Sequence, residues 1–183
     1  MREVIDLVYK PGTDIIDIGG NIGCNALMFS DYGPVHTFEP LFHKILKINV
    51  DQNSLRHPIS VYDFGLSSES SDIPLYLPKH RNGLYNYGCC SVHPNVEHSN
   101  ISVTVHLERF DSVYNGIPSV MKIDVEGHEM EVLKGAENTI RNHMPSIIIE
   151  IHNIEESPIT KYLSSLGYKI RTECPHANYL FLT

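Results

Sequence analysis

Tryptophan is absent from this 183-residue sequence, and cysteine and basic residues are both scarce. Four cysteines are too few for a disulfide framework in a chain of this length, which favours a reducing, cytoplasmic compartment. Fourteen lysines and arginines stand against 22 aspartates and glutamates, so the net charge is −8. An excess of acid argues against general binding to the phosphate backbone of nucleic acids.

Long apolar runs are missing as well. No run approaches the 18 or so residues that a membrane-spanning helix requires. The opening residues, MREVIDLVYKPG, are too polar for a secretory signal peptide. We therefore expect a cytoplasmic protein that has no membrane partner.

Short apolar segments alternate with helical ones along the whole chain, and the length is that of one domain, residues 1–183. This alternation predicts an α/β fold in which a mostly parallel sheet carries helices on both faces. The predicted strands of that sheet are 14–18, 35–38, 59–62, 119–124, 146–151, 168–172 and 179–183. Further strands are predicted at 73–77 and 101–106, and helices at 25–31, 41–52, 129–143 and 160–166.

A long segment without any period interrupts the alternation at residues 78–100. Loops of this length in compact domains are usually functional, so we expect a loop or lid insertion here. The side chains of Arg81, Asn82, Tyr85 and Tyr87 form an assortment suited to sugars, since aromatic rings stack on pyranose faces. A mobile insertion that contacts no substrate is the alternative.

Three features fall where predicted strands end, and ligands of open α/β sheets bind at that edge. The first is Asp17-Ile18-Gly19-Gly20-Asn21-Ile22-Gly23, whose glycines allow the backbone to pass close to a ligand. The second is Glu39, placed to accept hydrogen bonds from ribose hydroxyls. The third is Asp63, a candidate acceptor for an adenine amino group. Together they predict a nucleoside-containing cofactor.

The glycine pattern decides which cofactor is expected. A nicotinamide site has the pattern G-x-G-x-x-G, but counting from Gly19 this chain has Asn21 and Cys24 in place of the second and third glycines. A cofactor without phosphate fits better, because a carboxylate such as Asp17 can meet the cationic groups of a sulfonium that carries an amino-acid tail.

Acidic residues also follow the strand at 119–124, in the stretch KIDVEGHE. Asp124 and Glu126 lie at its tip and are candidates for the base that removes a proton from an acceptor hydroxyl. His128 and His152 are rivals, because imidazole titrates near neutral pH. Glu150 and His152 share a strand face, and with Asp124 or Glu126 they offer a divalent-metal site. We do not favour that metal site over a carboxylate base.

These motifs resemble the FkbM-type methyltransferase family. The resemblance rests on DIGGNIG, FEP, KIDVEGHEMEVLKGA, IIIEIH and LGY, in that order, over residues 14 to 168. It implies a class I, Rossmann-like methyltransferase fold with seven strands, the last antiparallel. It also implies S-adenosylmethionine as cofactor and O-methylation of a hydroxyl of a sugar, glycan or secondary metabolite.

The resemblance also implies roles for single residues. The methionine end of the cofactor would lie against Asp17, Gly19, Asn21 and Gly23. The remaining contacts would come from Glu39 at the ribose, Asp63 at the adenine, and Asp124 at the sulfonium and acceptor. The catalytic candidates are Asp124, Glu126 and His152.

Other functions remain open at this point. The chain could be an inactive binding module that keeps only the cofactor pocket, or a methyltransferase that acts on RNA or protein. Acidic net charge weakens the RNA alternative, although Lys44, Lys47 and Arg56 form a local basic stretch.

Overall fold

A computed structural model describes residues 1–78, 90–92, 98–151, 154, 157–174 and 178–183, with residues 98–100 described by their backbone. The strands are β1 (Asp14–Ile18), β2 (Val35–Phe38), β3 (Ile59–Tyr62), β4 (Gly65–Ser67), β5 (Ser71–Pro78), β6 (His98–Arg109), β7 (Pro118–Ile123), β8 (Ser146–Glu150), β9 (Lys169–Cys174) and β10 (Asn178–Leu182). The helices are α1 (Arg2–Val8), α2 (Cys24–Phe29), α3 (His43–Asp51), α4 (Phe110–Val113), α5 (Glu129–Gly135), α6 (Glu137–His143) and α7 (Pro158–Ser165).

The main sheet has the strand order β3-β2-β1-β7-β8-β10-β9. Adjacent strands in the part of this order from β3 to β8 pair in parallel. Strand β10, in contrast, runs antiparallel to both β8 and β9. The chain builds outward in opposite directions from β1 and β7, so strand order reverses between these two strands. Ligands of such sheets bind at this reversal, beyond the carboxyl ends of the strands. The predicted fold class is confirmed.

The core lies on both faces of the main sheet, because its central strands carry apolar residues toward each face. Alternate residues of β1 divide between the two faces: Ile16 and Ile18 pack in one cluster, and Ile15 packs in the other. Helices α5, α6 and α7 cover the first face, and α1 and α2 cover the second. Within the described ranges, no helix has the length and apolar character needed to cross a bilayer.

A second sheet of three strands, in the order β4-β6-β5, stands beside the main one. Residues Gly65–Ser67 are not among the predicted strands, but they form β4, which pairs in parallel with Leu107–Arg109. A three-residue strand has no hydrophobic period of its own, so this element depends on its partner strand. Part of the predicted 78–100 insertion also joins this sheet, since Ser91 forms a β-bridge with Tyr76.

Helical structure departs from the sequence prediction in three places, one of which is the unpredicted short helix α4. The polar N-terminal segment forms α1, whose Ile5 is fully buried. The single helix predicted over 129–143 is divided at Ala136 into α5 and α6. At the end of α5, Gly135 lies so close to β4 that a Cβ atom there would overlap the carbonyl oxygen of Ser67. This close approach fixes the small sheet against the main core.

We expect Gly135→Ala to destabilise the fold by about 1–3 kcal/mol through this overlap, although alanine normally favours a helix over glycine. Asn138→Ala, at an exposed position of α6, is the matched control and should change the free energy of unfolding by less than about 0.5 kcal/mol. Urea unfolding measures both, and an unchanged or more stable Gly135→Ala protein would contradict the packing described.

Candidate active site

A cavity of about 470 Å³ opens at the carboxyl ends of β1, β2 and β7. One wall is the small sheet, with the apolar side chains of Leu75, Val105 and Leu107. The opposite wall is polar and consists of the loops that leave the main sheet. The residues of that polar wall include Gly19, Gly20, Asn21, Glu39, Lys122, Asp124, Glu126 and His128.

The loop after β1 lies against its neighbours with no room for side chains at two glycines. A Cβ at Gly19, whose φ is +82°, would overlap the carbonyl oxygen of Asp124, and a Cβ at Gly20 would overlap the hydroxyl of Thr37. Asn21 follows in the left-handed region at φ 49°. The loop therefore exposes backbone, rather than side chains, to the cavity.

Glu39 organises the loops on either side of β2. Its Oε2 accepts a hydrogen bond from the amide of Asn21 at 2.9 Å, and its Oε1 accepts from the amides of Leu41 at 2.8 Å and Phe42 at 2.9 Å. The residue is buried yet lines the cavity. Such a carboxylate is held rigid by backbone donors, and two oxygens offer about four acceptor sites, so capacity remains for a ligand hydroxyl.

A row of polar groups crosses the sheet just beneath the cavity. Asp17 Oδ2 accepts from the hydroxyl of Thr37 at 3.4 Å, and Asp17 Oδ1 lies 3.9 Å from Lys122 Nζ. Lys122 Nζ donates to Asp124 Oδ2 at 3.0 Å. Asp17 is fully buried, and its Oδ1 has no hydrogen-bond partner. Burial raises the pKa of Asp17 to about 6, with Lys122 opposing the rise.

Three carboxyl groups meet at one corner of the site. Those of Asp124, Glu126 and Glu150 have oxygens within 4.8 Å of one another. Glu126 adopts φ 53° in the turn after β7, and Ser91 Oγ donates to its carbonyl oxygen at 2.7 Å. Glu129 Oε1 accepts from the amides of Val125 and Gly127 at 3.3 and 3.0 Å, so the turn is fixed from both sides.

The structure brings most of the predicted site residues to this cavity. Its wall includes Gly19, Asn21, Glu39, Asp124 and Glu126. Asp17 and Gly23 are buried behind the wall and support it.

The remaining predicted residues differ in where they lie. Asp63 is exposed and is not among the residues that line the cavity. His128 does line it, and its Nε2 lies 3.0 Å from Ser67 Oγ. His152 lies outside the described residues, as do Arg81, Asn82, Tyr85 and Tyr87 of the insertion.

Lys122 and the apolar wall were not predicted from the sequence. A signal for Lys122 was available, because a lysine interrupts the otherwise apolar strand SVMKI and so has to be buried. The apolar wall depends on pairing between β5 and β6 across the insertion, which local sequence does not encode.

The sequence matches a family of known proteins over most of its length. Residues 17–170 match the family described as Methyltransferase FkbM domain. The chain belongs to the FkbM methyltransferase family. The resemblance inferred from its motifs is thereby confirmed, and the match spans both the DIGGNIG motif and the KIDVEG turn.

Individual relatives support the assignment. The chain is 35% identical to hexuronic acid methyltransferase AglP of Haloferax volcanii, an alignment that covers 97% of this chain and 72% of that protein. It is 26% identical to methyltransferase sdnD of Sordaria araneosa, over 74% of this chain and 65% of that one. A crystal structure of methyltransferase FkbM from Methylobacillus flagellatus superposes with a TM-score of 0.63 at 17% identity. This chain spans about half the length of that solved protein.

The family implies S-adenosylmethionine, and the described residues fit that cofactor. The orphaned carboxylate oxygen of Asp17 and the acidic corner suit a ligand with cationic groups. Glu39 offers a rigid acceptor for hydroxyls. Among the described residues that line the cavity, Lys122 is the sole lysine or arginine. Its ammonium group already interacts with the carboxylates of Asp17 and Asp124. A cofactor with phosphate groups would therefore find little positive charge in this cavity.

The buried Asp17 predicts a specific dependence of stability on pH. Its pKa is about 6 in the folded protein against an ordinary value of 3.8. The favourable contribution of Asp17 to the free energy of unfolding is therefore complete below about pH 4 and is lost as the pH rises through 6. Asp17→Asn cannot titrate. Relative to that variant, we expect the wild type to lose on the order of 3 kcal/mol of unfolding free energy between pH 4 and pH 7.

Denaturant unfolding at both pH values measures this difference. The exposed Asp63→Asn provides the control, and its difference from wild type should stay constant within error. An Asp17→Asn difference that is equally constant would mean that burial does not perturb Asp17.

Proposed function

We propose that this chain transfers the methyl group of S-adenosylmethionine to a hydroxyl of a sugar, a glycan or a sugar-like secondary metabolite. The observation that carries the proposal is one cavity lined both by a rigid carboxylate, Glu39 after β2, and by an acidic corner around Asp124 after β7. The naming of a 35% identical relative as a hexuronic acid methyltransferase supports a sugar acceptor.

The first part of the proposal concerns cofactor binding. Glu39 holds the ribose hydroxyls, while the bare backbone at Gly19 and Asn21 permits close approach of the methionine end. Asp17 and Gly23 act from behind the wall, through charge and loop shape. The placement of Asp63 at the adenine is a prediction from the family motif. The exposed position of Asp63 does not support that placement.

The second part concerns chemistry. When bound, S-adenosylmethionine supplies an electrophilic methyl group on a sulfonium sulfur. Alignment of the acceptor with that methyl can contribute roughly 7–11 kcal/mol. Asp124 accepts the hydroxyl proton through Oδ1, because Lys122 engages Oδ2. Glu126, in the same corner, is the second candidate for this base.

Several finer assignments also belong to the proposal. We propose that residues 1–183 form a single domain. We also propose that the acceptor binds beside the insertion at 78–100. The metal-assisted route through Asp124, Glu126, Glu150 and His152 is the alternative to a carboxylate base and is not favoured. The cytoplasmic location stays a prediction, as does the absence of a nucleic-acid substrate.

Cofactor binding is tested first. We expect S-adenosylhomocysteine to bind with micromolar affinity by calorimetry, whereas NADH does not bind. Glu39→Ala should weaken that binding at least about tenfold, since a charge-assisted hydrogen bond contributes roughly 1.5–3 kcal/mol. Glu69→Ala removes an exposed glutamate and should bind as the wild type does. A folded wild-type protein that fails to bind S-adenosylhomocysteine would refute the proposed function.

Turnover is tested with Asp124→Asn. Methyl transfer from labelled S-adenosylmethionine to uronic acids and neutral sugars should fall by about 10²–10⁴, because general-base catalysis contributes that much. Binding of S-adenosylhomocysteine should persist, which separates chemistry from folding. A chelator should leave wild-type turnover unchanged, and loss of turnover on chelation would replace the carboxylate base with the metal route.

A further inference from the structure

Lys122 is a buried cation in a site proposed to bind a cationic ligand. In the register of the main sheet, Asp17 on β1 pairs with Thr37 on β2 and with Lys122 on β7. Paired residues of parallel strands project from the same face. The three side chains therefore form a continuous row, which Asp124 extends into the cavity through its 3.0 Å contact with Lys122 Nζ.

Water is largely excluded from this row. The exposed side-chain fraction is 0% for Asp17 and 3% for Lys122, and it reaches 33% only at Asp124. Charges in such surroundings interact far more strongly than at a surface. With both carboxyl groups ionised and Lys122 protonated, the row carries one net negative charge. This negative charge attracts the positive charge of a sulfonium cofactor.

We propose that Lys122 is a positioning residue that keeps this row at one net negative charge across neutral pH, and so makes affinity for the cationic cofactor nearly independent of pH. The proposal rests on the proposed function, because it concerns the same cofactor. Its role is indirect: Lys122 acts through Asp17 and Asp124 rather than on the reacting atoms.

The group whose ionisation is at stake is Asp17. It faces the Thr37 hydroxyl from β2, the Lys122 ammonium from β7, and the more distant carboxylates of Asp124 and Glu39. Lys122 supplies the positive charge that favours the ionised form, against desolvation and the two carboxylates. Removal of the ammonium therefore drives protonation of Asp17 into the neutral pH range.

The test is calorimetric titration with S-adenosylmethionine, which carries the sulfonium charge, in the absence of any acceptor at pH 6 and pH 8. For the wild type we expect the Kd at pH 6 to exceed that at pH 8 by about twofold. For Lys122→Met we expect a ratio of about tenfold or more, because each pH unit below the pKa of a required carboxylate costs about a factor of ten. In the double variant Lys122→Met with Asp17→Asn, which cannot titrate at residue 17, the ratio should return to about one.

The outcomes separate the ideas. Equal pH ratios for wild type and Lys122→Met would overturn the role of Lys122, as would a steep ratio that persists in the double variant. A purely structural lysine would weaken binding by the same factor at both pH values. Failure of the wild type to bind would refute the proposed function instead. If circular dichroism shows that Lys122→Met does not fold, Lys122→Gln, which retains a hydrogen-bond donor without charge, has the same expected ratio and decides the question.

Discussion

Burial of the Asp17 carboxylate at the centre of the sheet is the constraint on which the rest of the site depends. An ionised carboxylate without water is costly, and here one of its oxygens has no hydrogen-bond partner at all. Lys122 on β7 and Thr37 on β2 partly offset that cost, which requires both neighbouring strands to be in register with β1. The alignment that places these partners also brings three strand ends to one cavity.

Close backbone approach is the second requirement, and it links the parts of the site to one another. Gly19 lets the loop after β1 touch the backbone of Asp124, so this glycine loop and the KIDVEG turn share a boundary. Gly135 does the same between α5 and the small sheet. Ser91 then joins the insertion to Glu126. The apolar wall, the glycine loop and the acidic corner consequently hold fixed positions relative to one another.

Strands β1, β2 and β3 were predicted to the residue, because short apolar runs bounded by turn residues have few alternatives. Helix α1 was missed, since its polar sequence becomes helical only by burying Ile5 and Val8 against the sheet. Strand β4 was missed because it exists through pairing with β6. Among the residues that line the cavity, Glu39 was predicted from its place after a strand, whereas the pairing of Lys122 with Asp17 required knowledge of which strands are neighbours.

The cavity combines two walls of opposite character, and this combination limits what it can hold. A ligand that spans it must present an apolar surface to Leu75, Val105 and Leu107, and hydroxyls or positive charge to the main sheet. A nucleoside with a cationic tail has that distribution, whereas a fully charged phosphate ester does not. An acceptor hydroxyl that lies beside Asp124 and Glu126 would meet carboxylates rather than cations. Selectivity for an acidic sugar would then have to come from groups outside this corner.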